Sequence, residues 1–403
     1  MMTKMIVFVC FLMVHAYSAF ASSSVVAIKE KEIVTIKLDK GNEVITLNKG
    51  KDFINPQIFD NKKFVAYQDS NSNLYVSSLS DNHNIIFQMR DVKSYTLSNE
   101  QLIFSKTSGG VFLYDVSKEK LSPLIKPSEF IYAELLANKD GLLFYQKVPL
   151  NGGAPLGLFE FDRNTKTETL IVDYVPISKE SFGTNPKPVK VSADGNWLYV
   201  WCEATTASAR MDGGPLGVYN VTKKQFKKFD QVITLSYLDN LAINPISNDI
   251  VGVINGEWRF MNEDKHLQLL NIESGNLKSV TENNMASMTP SFSHDGTKLF
   301  YSARVEVKDT YTGFVPGANQ IYTYDLKTKK TEKLTHNKAT FDFYPQEVEQ
   351  NVLLFLQFDE NKKLSLVRRD TGGKESIILT DLLTTNLEYY GHLESYKILN
   401  VKY

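Results

Sequence analysis

Short apolar segments alternate with polar turns along most of this chain. The clearest example is IYTYD at residues 321–325, an apolar and aromatic alternation that ends in Asp. Alternation with period two predicts half-buried β-strands, and β-branched and aromatic residues favour them. Long windows with helical spacing of apolar residues are missing. The pattern therefore predicts an all-β protein.

The IYTYD segment marks a unit that returns along the chain. A polar, often Lys/Thr-rich turn and a short strand follow each copy, and a hydrophobic strand precedes it. A four-stranded antiparallel unit of about 40 to 50 residues is the size of a propeller blade. The copies of the marker, some of them weak, end at residues 78, 115, 162, 220, 271, 325 and 368. The repeat therefore predicts a β-propeller.

Seven units fit between about residues 51 and 380, and the two chain ends supply an eighth. We expect the strands at 33–38 and 43–47 to form the outer half of this blade. The segments at 387–391 and 396–401 are expected to form its inner half. Pairing of the N- and C-terminal strands then closes the ring and removes exposed edges. Seven blades with one appended terminal segment is the alternative to eight.

Residues 290–335 carry a more specific motif, and residues 186–203 carry part of it. Its elements are a proline, an aromatic, an Asp-Gly turn, an Ile-Tyr-x-x-Asp strand and a Leu-Thr end. They are Pro290, Phe292, Ser293, Asp295, Gly296, Ile321, Tyr322, Asp325, Leu334 and Thr335. This pattern resembles the TolB-type β-propeller repeat. The resemblance implies a periplasmic scaffold whose ring binds proteins or peptides.

The chain also departs from TolB. TolB itself carries a separate N-terminal domain ahead of a six-bladed propeller, whereas strand rhythm here begins by about Ile33. We therefore expect a relative in fold and not TolB itself.

The turn Ser293–Gly296 places His294 beside Asp295, which raises the question of an acid/base pair. An Asp-Gly pair between apolar strands predicts a hairpin turn. Residues 192–195 have the corresponding turn with alanine in place of the histidine. We therefore expect a turn between first and second strands, on the face opposite the long loops.

The N-terminus predicts export. Residues 1–21 have a lone Lys4, an apolar run and an A-x-A site, which is the layout of a secretory signal peptide. Residues 22–403 are then a single propeller domain, periplasmic or secreted, and no later run of about 20 apolar residues predicts a membrane-spanning helix. Cleavage removes Cys10, so the mature chain has no internal disulfide and Cys202 is expected to be an inert core thiol.

Charge and composition identify no partner. The formal net charge is -1, with 42% hydrophobic and 23% charged residues, so no overall field attracts nucleic acid or anionic lipid. The composition is that of a globular protein, which we expect to be a monomer without a cofactor.

Long loops between second and third strands predict the candidate binding site. They span residues 146–157, 203–217 and 303–320, and the interblade segment 172–188 opens on the same face. Large amphipathic side chains on loops suit a recognition surface. The candidate binding residues are Tyr174, Phe182, Arg210, Met211, Asp212, Lys308, Tyr311 and Phe314.

Enzyme signatures are scarce. The chain lacks G-x-S-x-G, H-E-x-x-H and Walker A motifs. The segment 69–73 lacks the glycine and glutamate of a calcium loop and is interpreted as a hairpin connection. The histidines after the signal peptide fall at unlike positions in different units, namely His83, His266, His294, His336 and His392. We therefore predict no metal site and no catalytic residues.

Two functional hypotheses remain. The first is a non-catalytic exported propeller that binds a protein, peptide or envelope component through its long-loop face. The second is a propeller enzyme, a polysaccharide lyase or hydrolase, with a site in the central funnel. Some TolB-like propellers resemble oligogalacturonate lyases, which use metal-bound histidines in the funnel. The inner strands here offer mostly apolar, Ser, Lys and Asn residues, which favours the binding hypothesis.

Overall fold

Eight four-stranded antiparallel sheets make up the fold. The computed structural model describes residues 23–80, 83–308, 319–383, 392 and 394–402. Apart from the sheet that joins the chain ends, every sheet takes four consecutive strands. The eight-bladed propeller is thus confirmed, and the seven-bladed alternative is wrong. The predicted signal peptide and Cys10 lie outside the described residues.

The strands follow one another blade by blade, and the blades are numbered in chain order around the ring. Blade 1 begins with β1 Ser24–Lys29, β2 Glu32–Lys37 and β3 Glu43–Lys49. Blade 2 contains β4 Phe53–Ile58, β5 Phe64–Asp69, β6 Leu74–Ser78 and β7 Ile85–Met89. Blade 3 contains β8 Val92–Ser98, β9 Gln101–Lys106, β10 Val111–Asp115 and β11 Lys120–Ile125. Blade 4 contains β12 Phe130–Ala137, β13 Leu142–Pro149, β14 Gly157–Asp162 and β15 Glu168–Asp173.

The second half of the ring has the same plan. Blade 5 contains β16 Asn185–Val191, β17 Trp197–Glu203, β18 Gly214–Asn220 and β19 Gln225–Thr234. Blade 6 contains β20 Leu241–Ile243, β21 Ile250–Asn255, β22 His266–Asn271 and β23 Leu277–Ser279. Blade 7 contains β24 Met285–Phe292, β25 Lys298–Val305, β26 Gln320–Asp325 and β27 Thr331–Lys333. Blade 8 contains β28 Phe341–Glu349, β29 Val352–Phe358, β30 Leu364–Arg369 and β31 Glu375–Leu379, and the final strand β32 is Leu399–Lys402.

Among the described residues, helical structure occurs only in short connections. The α-helix α1 spans Ala207–Met211, and 3₁₀ turns span Leu38–Lys40, Leu238–Asn240 and Ser395–Lys397. Within the described ranges, no helix combines the length and the apolar character that a bilayer crossing requires.

The chain ends close the ring with three strands from the N-terminus and one from the C-terminus. The strand order of blade 1 is β3-β2-β1-β32. Closure by the two chain ends is as expected. The expectation that each end supplies two strands is wrong, because β1, counted from the centre of the ring, is the second strand. Its centre is four consecutive buried apolar residues, 25–28, which need a neighbouring strand on each side. The segment 387–391 lies outside the described residues.

The Asp or Asn that ends each marker has a structural role in the following turn. In five blades its side-chain oxygen accepts a hydrogen bond from the backbone N–H three residues later, at 2.6–3.2 Å. Asp and Asn favour such turns because they hydrogen-bond nearby backbone. These five residues are Asp115, Asp162, Asn220, Asn271 and Asp325. The sequence marker is therefore the hydrogen-bonded start of the turn between third and fourth strands.

Four inner strands, the first strands of blades 2, 4, 7 and 8, share a bulge. At each bulge a residue other than glycine has φ between 50° and 55° and the pairing register shifts. Such bulges redirect side chains and are frequent near functional sites. The four residues are Asn55, Glu134, Thr289 and Tyr344.

The hydrophobic core is divided among the contacts between neighbouring blades. The largest cluster joins blades 8, 1 and 2, so packing as well as strand pairing holds the ring closed. Cys202 lies buried in β17, and burial raises the pKa of its thiol to about 12. The expectation of a buried, unreactive thiol agrees with this environment.

The turn at 293–296 connects the first two strands of blade 7 and contacts blade 8. Gly296 has φ of 67°, as the Asp-Gly turn requires. The His294 backbone N–H donates to Glu347 Oε2 at 2.9 Å, and its ring Nε2 lies 2.9 Å from the Glu347 carbonyl. Burial lowers the pKa of His294. The histidine packs between blades on the face opposite the long loops.

Candidate functional site

The face that carries the loops between second and third strands is asymmetric. In blades 4 to 7 these loops are long, and in blades 8, 1, 2 and 3 they are short. We call the two parts of this face the long-loop half and the short-turn half. The long loops are 150–156, 204–213, 256–265 and 306–319, and the short ones are 359–363, 30–31, 70–73 and 107–110. Since the blades follow one another around the ring, each half is continuous.

Exposed apolar side chains distinguish the two halves. In the long-loop half they are Leu150, Leu156, Val175, Ile177, Phe182, Trp258 and Val305. On the described turns of the short-turn half, no large hydrophobic side chain is exposed. The other exposed ones are Val44, Ile85, Ile86, Leu121, Leu170 and Ile377 on outer strands and Ile246 on the opposite face. Among the described residues, the exposed apolar surface of this face thus lies in four consecutive blades.

Hydrogen bonds connect the interblade segment 172–188, which precedes blade 5, to the loop 204–213. The Phe182 carbonyl accepts bonds from the Thr205 backbone N–H at 3.0 Å and from Thr205 Oγ1 at 2.8 Å. Val175 and Thr184 exchange two backbone bonds of 2.9 and 2.8 Å. The exposed Phe182 therefore stands on a hairpin fixed at both of its sides.

The next loops are connected in the same way. Asp212 accepts two bonds from the Arg259 guanidinium, at 2.7 Å from Nε and 2.6 Å from Nη2. On the other side, Glu306 Oε1 accepts the backbone N–H of Asp264 at 2.5 Å. Bidentate pairing between Arg and a carboxylate fixes geometry as well as contributing energy. The long-loop half is therefore a continuous, braced surface across blades 5 to 7.

A buried ammonium group organises the loop 256–265, which we call the Trp258 loop. Lys265 is 1% exposed, and its Nζ donates to the carbonyls of Glu257, Glu263 and Asp264 at 2.8, 3.1 and 3.2 Å. Burial lowers the pKa of Lys265 to about 8, although nearby carboxylates oppose this shift. Three carbonyls that converge on one cation hold the loop in a single path.

The same loop presents Trp258 in an unusual conformation. Trp258 has φ of 83°, a region that bulky residues rarely adopt. Its ring lies 5.8 Å from the guanidinium carbon of Arg259 and 5.7 Å from the ring of Phe260. Strained backbone at a partly exposed aromatic residue is a feature of binding sites.

The structure places the described candidate residues on this one face. Phe182, Arg210 and Lys308 are exposed, and Tyr174 and Met211 are partly buried. Asp212 forms the ion pair with Arg259. Tyr311 and Phe314 lie outside the described residues. A binding role for any of these side chains stays a prediction.

Sequence reasoning missed the Trp258 loop. The signal was present as a ten-residue connection between two predicted strands, with two aromatic residues and an arginine in EWRF at 257–260. Its length matches that of the neighbouring loops. The role of Lys265 has no such signal, because the carbonyls that it bonds are backbone groups.

The mouth of the central funnel is crossed by the C-terminal segment. Ser395 donates its backbone N–H to Asp239 Oδ2 at 2.7 Å, yet β32 belongs to blade 1, opposite blade 5 in the ring. Burial raises the pKa of Asp239 to about 7, and burial lowers the pKa of Lys190, whose Nζ donates to the Leu241 carbonyl. In the part of the chain that the structure describes, no group of three His, Cys, Asp or Glu side chains is placed to hold a metal.

No protein-family model matches the chain, and no curated protein matches it. Dihydro-heme d1 dehydrogenase NirN in complex with DHE is similar over 90% of this chain and 74% of its own, with TM-score 0.62 and 10% identity. Oligogalacturonate lyase in complex with manganese covers 82% and 86%, with TM-score 0.45 and 14% identity. TolB from Acinetobacter baumannii covers 64% of this chain, with TM-score 0.42 and 12% identity.

The chain spans 63% of the length of that TolB. The β-propeller fold expected from the repeat is confirmed by the eight four-stranded sheets, and TolB proteins are among the structures found to be similar. At 10% identity the likeness to NirN shows the fold and nothing further.

Proposed function

We propose that this protein is an exported, non-catalytic β-propeller that binds a protein or peptide partner through its long-loop half. One observation carries the proposal, namely that the exposed apolar side chains on the described part of this face all lie in four consecutive blades. Monomeric proteins rarely expose clustered apolar surface unless another molecule covers it. Burial of such surface contributes roughly 25 cal/mol per Å², so a partner that covers these loops gains affinity from them.

The bracing of the loops supports the same proposal. Loops that are ordered before binding lose less conformational entropy when a partner arrives. The Asp212–Arg259 ion pair and the Lys265 ammonium fix the loops without using the exposed side chains of Phe182 and Trp258. Large aromatic and arginine side chains on ordered loops dominate binding energy at many protein interfaces. The surface therefore suits a protein or peptide better than a small ligand.

Export is the second part of the proposal and rests on residues 1–21. Sequencing the N-terminus of the mature protein from the cells that produce it tests this part. We expect mature chains to begin near residue 22, outside the cytoplasm. Full-length chains in the cytoplasm contradict it.

The central funnel offers a second candidate, an enzyme active site. Lys190, on the inner strand β16, and Asp239, just before the inner strand β20, favour it, because they interact electrostatically and burial lowers the pKa of the lysine and raises that of the aspartate. Against it, residues 394–398 of the same chain lie across the mouth and contact Asp239. Activity on acidic glycans that disappears in Lys190→Met and in Asp239→Asn supports the enzyme, and its absence from the wild-type protein contradicts it.

Charge substitutions with matched controls test the binding proposal. The rim variant is Ile177→Asp with Phe182→Asp, at side chains that are 56% and 66% exposed. The control variant is Ile377→Asp with Ile246→Asp, at side chains that are 57% and 66% exposed on an outer strand and on the opposite face. The readout is the size of the complex that contains the protein in gentle extracts of producing cells, measured by size-exclusion chromatography.

We expect the wild-type protein and the control variant to elute in a complex larger than the monomer. The rim variant is expected to elute as a monomer, because an aspartate in an apolar interface loses its hydration without gaining a partner. Monomeric wild-type protein, or a rim variant that keeps the complex, contradicts the proposal.

A further inference from the structure

The C-terminal segment contacts both sides of the ring. Its described residues, 392 and 394–398, are here called the clasp. At one end, the Ile398 carbonyl accepts the backbone N–H of Ile28 in blade 1 at 2.8 Å. At the other end, Ser395 bonds to Asp239 in the connection between blades 5 and 6. The clasp therefore joins the closing blade to the opposite side of the ring.

His392 extends this connection to the Trp258 loop. Its ring Nε2 lies 2.7 Å from the carbonyl of Arg259, and its ring stacks on Tyr237 with centroids 4.1 Å apart and planes at 11°. Burial lowers the pKa of His392 to about 3, so the imidazole is neutral at ordinary pH. A neutral ring that contacts a carbonyl carries its proton on that nitrogen, so His392 Nε2–H donates to Arg259.

Arg259 carries the connection to the binding surface. Its backbone carbonyl is held by His392, while its guanidinium holds Asp212 in the loop 204–213. The side chain also lies beside Trp258. The position of one residue, Arg259, is thus fixed from the clasp on one side and from the long-loop half on the other.

The strand that seats the clasp is short. β32 pairs with β1 through four residue pairs, from Ala27–Leu399 to Ser24–Lys402. Short terminal strands open locally more readily than the central strands of a sheet. Leu399 is fully buried and is the main apolar anchor of β32 in the largest hydrophobic cluster.

We propose that the clasp couples ring closure to the shape of the binding surface, so that the Trp258 loop holds its ordered conformation only while β32 is seated in blade 1. The part of this proposal that concerns binding rests on the proposed function. Coupling between two sites is reciprocal, so a partner on the Trp258 loop also strengthens the seating of β32. Release of the C-terminus then releases the partner.

Hydrogen exchange followed by mass spectrometry tests the coupling without a partner. Leu399→Ala loosens β32 in blade 1, and Leu47→Ala is the matched change in the outer strand β3 of the same blade. We expect amides at 256–265 to exchange about tenfold faster in Leu399→Ala and to keep their wild-type rate in Leu47→Ala. Equal rates at 256–265 in these two variants overturn the proposal.

A second pair of variants keeps the test valid if Leu399→Ala fails to fold. His392→Ala removes the contact with Arg259, whereas Tyr396→Phe removes a hydrogen bond to Glu394 that lies within the clasp. We expect faster exchange at 256–265 in His392→Ala alone, with β21 unchanged in both. Unchanged exchange at 256–265 in His392→Ala overturns the coupling. If exchange at 256–265 changes as expected but no partner protein is found in cells, the coupling is supported and only the proposed function is contradicted.

Discussion

The long-loop half and the short-turn half connect the second and third strands of their blades in opposite ways. In the short-turn half, the Asp69 carboxylate accepts bonds from Asn73, Tyr75 and Lys51, so a tight polar turn joins β5 to β6. In the long-loop half, the buried cation of Lys265 gathers backbone carbonyls and leaves Trp258 on the surface. Blades of one architecture thus carry either a short turn whose polar groups form hydrogen bonds with nearby residues or a long loop that presents apolar side chains. Under the proposed function, the connections and not the blades bind the partner.

The buried carboxyl groups of the two halves show the same contrast. Burial alone raises the pKa of Asp69, but the hydrogen bonds from Asn73, Tyr75 and Lys51 outweigh it and lower the pKa to about 2. Burial raises the pKa of Asp239 to about 7, despite the nearby Lys190. For Asp69 the neighbours outweigh burial, and for Asp239 burial outweighs Lys190 and Ser395.

The largest expected effect on stability follows the loss of the Lys265 ammonium. Lys265→Met keeps the length of the side chain but removes the donor shared by the carbonyls of Glu257, Glu263 and Asp264, which costs about 3 kcal/mol of unfolding free energy. Urea denaturation measures it, and Lys308→Met, an exposed lysine in the neighbouring loop, is the control. A loss below about 1 kcal/mol means that the Trp258 loop does not depend on the cation.

The next effect on stability concerns Asp69 in the short-turn half. Asp69→Asn is expected to lower the unfolding free energy by about 2 kcal/mol at pH 7, because a pKa held below its unfolded value stabilises the fold above about pH 4. This stabilisation disappears as pH falls through the window from about 4 to 2. Urea titrations at pH 7 and pH 3 measure it, with the exposed Asp52→Asn as control. A constant difference between wild type and variant at both pH values contradicts this assignment.

Asp239 should show the opposite sign. Its folded pKa lies above the unfolded value, so the folded protein binds the extra proton and the stability that Asp239 contributes falls as pH rises from about 4 to 7. Relative to wild type, Asp239→Asn is expected to gain roughly 3 kcal/mol of unfolding free energy between pH 4.5 and 7.5. Urea titrations at the two pH values test this, with the exposed Asp173→Asn as control. If Asp239→Asn instead loses stability relative to wild type at the higher pH, the raised pKa assigned to Asp239 is wrong.

The smallest effect on stability is expected at the exposed rim. Phe182→Ser removes a side chain that is largely in water, so the unfolding free energy should change by less than about 0.5 kcal/mol. The buried Phe144→Ser in blade 4 is the contrasting control and should cost several kcal/mol, on the order of 3. A large loss in Phe182→Ser would assign that side chain to packing and weaken its proposed role in binding.

Much of the fold could be predicted from the sequence because the repeat combines several local signals. Period-two alternation gave the strands, and the Asp or Asn at residues such as 115 and 325 gave their ends, since these side chains bond the following turn. The order of strands in blade 1 could not be obtained in this way. It depends on which segment packs best between β2 and β32, and that competition involves contacts between the two ends of the chain.

The candidate surface was predicted in part. Loop length and residue type indicated Phe182, Arg210 and Asp212, and the structure places all three on one face. The partner of Asp212, Arg259, lies 47 residues further along the chain, in a loop that no motif marks. His392 is the same kind of case, because its contact with Arg259 spans 133 residues. Contacts of this range depend on how different blades and the C-terminal segment pack together, and they leave no local pattern in the sequence.

The most direct test of the account compares the two halves by site-specific photo-crosslinking in the cells that produce the protein. A photoreactive residue replaces Phe182, Trp258 or Val305 in the long-loop half, and Ser70, Ser108 or Glu360 in the short-turn half. The account predicts adducts with one and the same protein from the three long-loop positions and none from the short-turn positions. Adducts of equal yield from both halves, or none from the long-loop half, would contradict it.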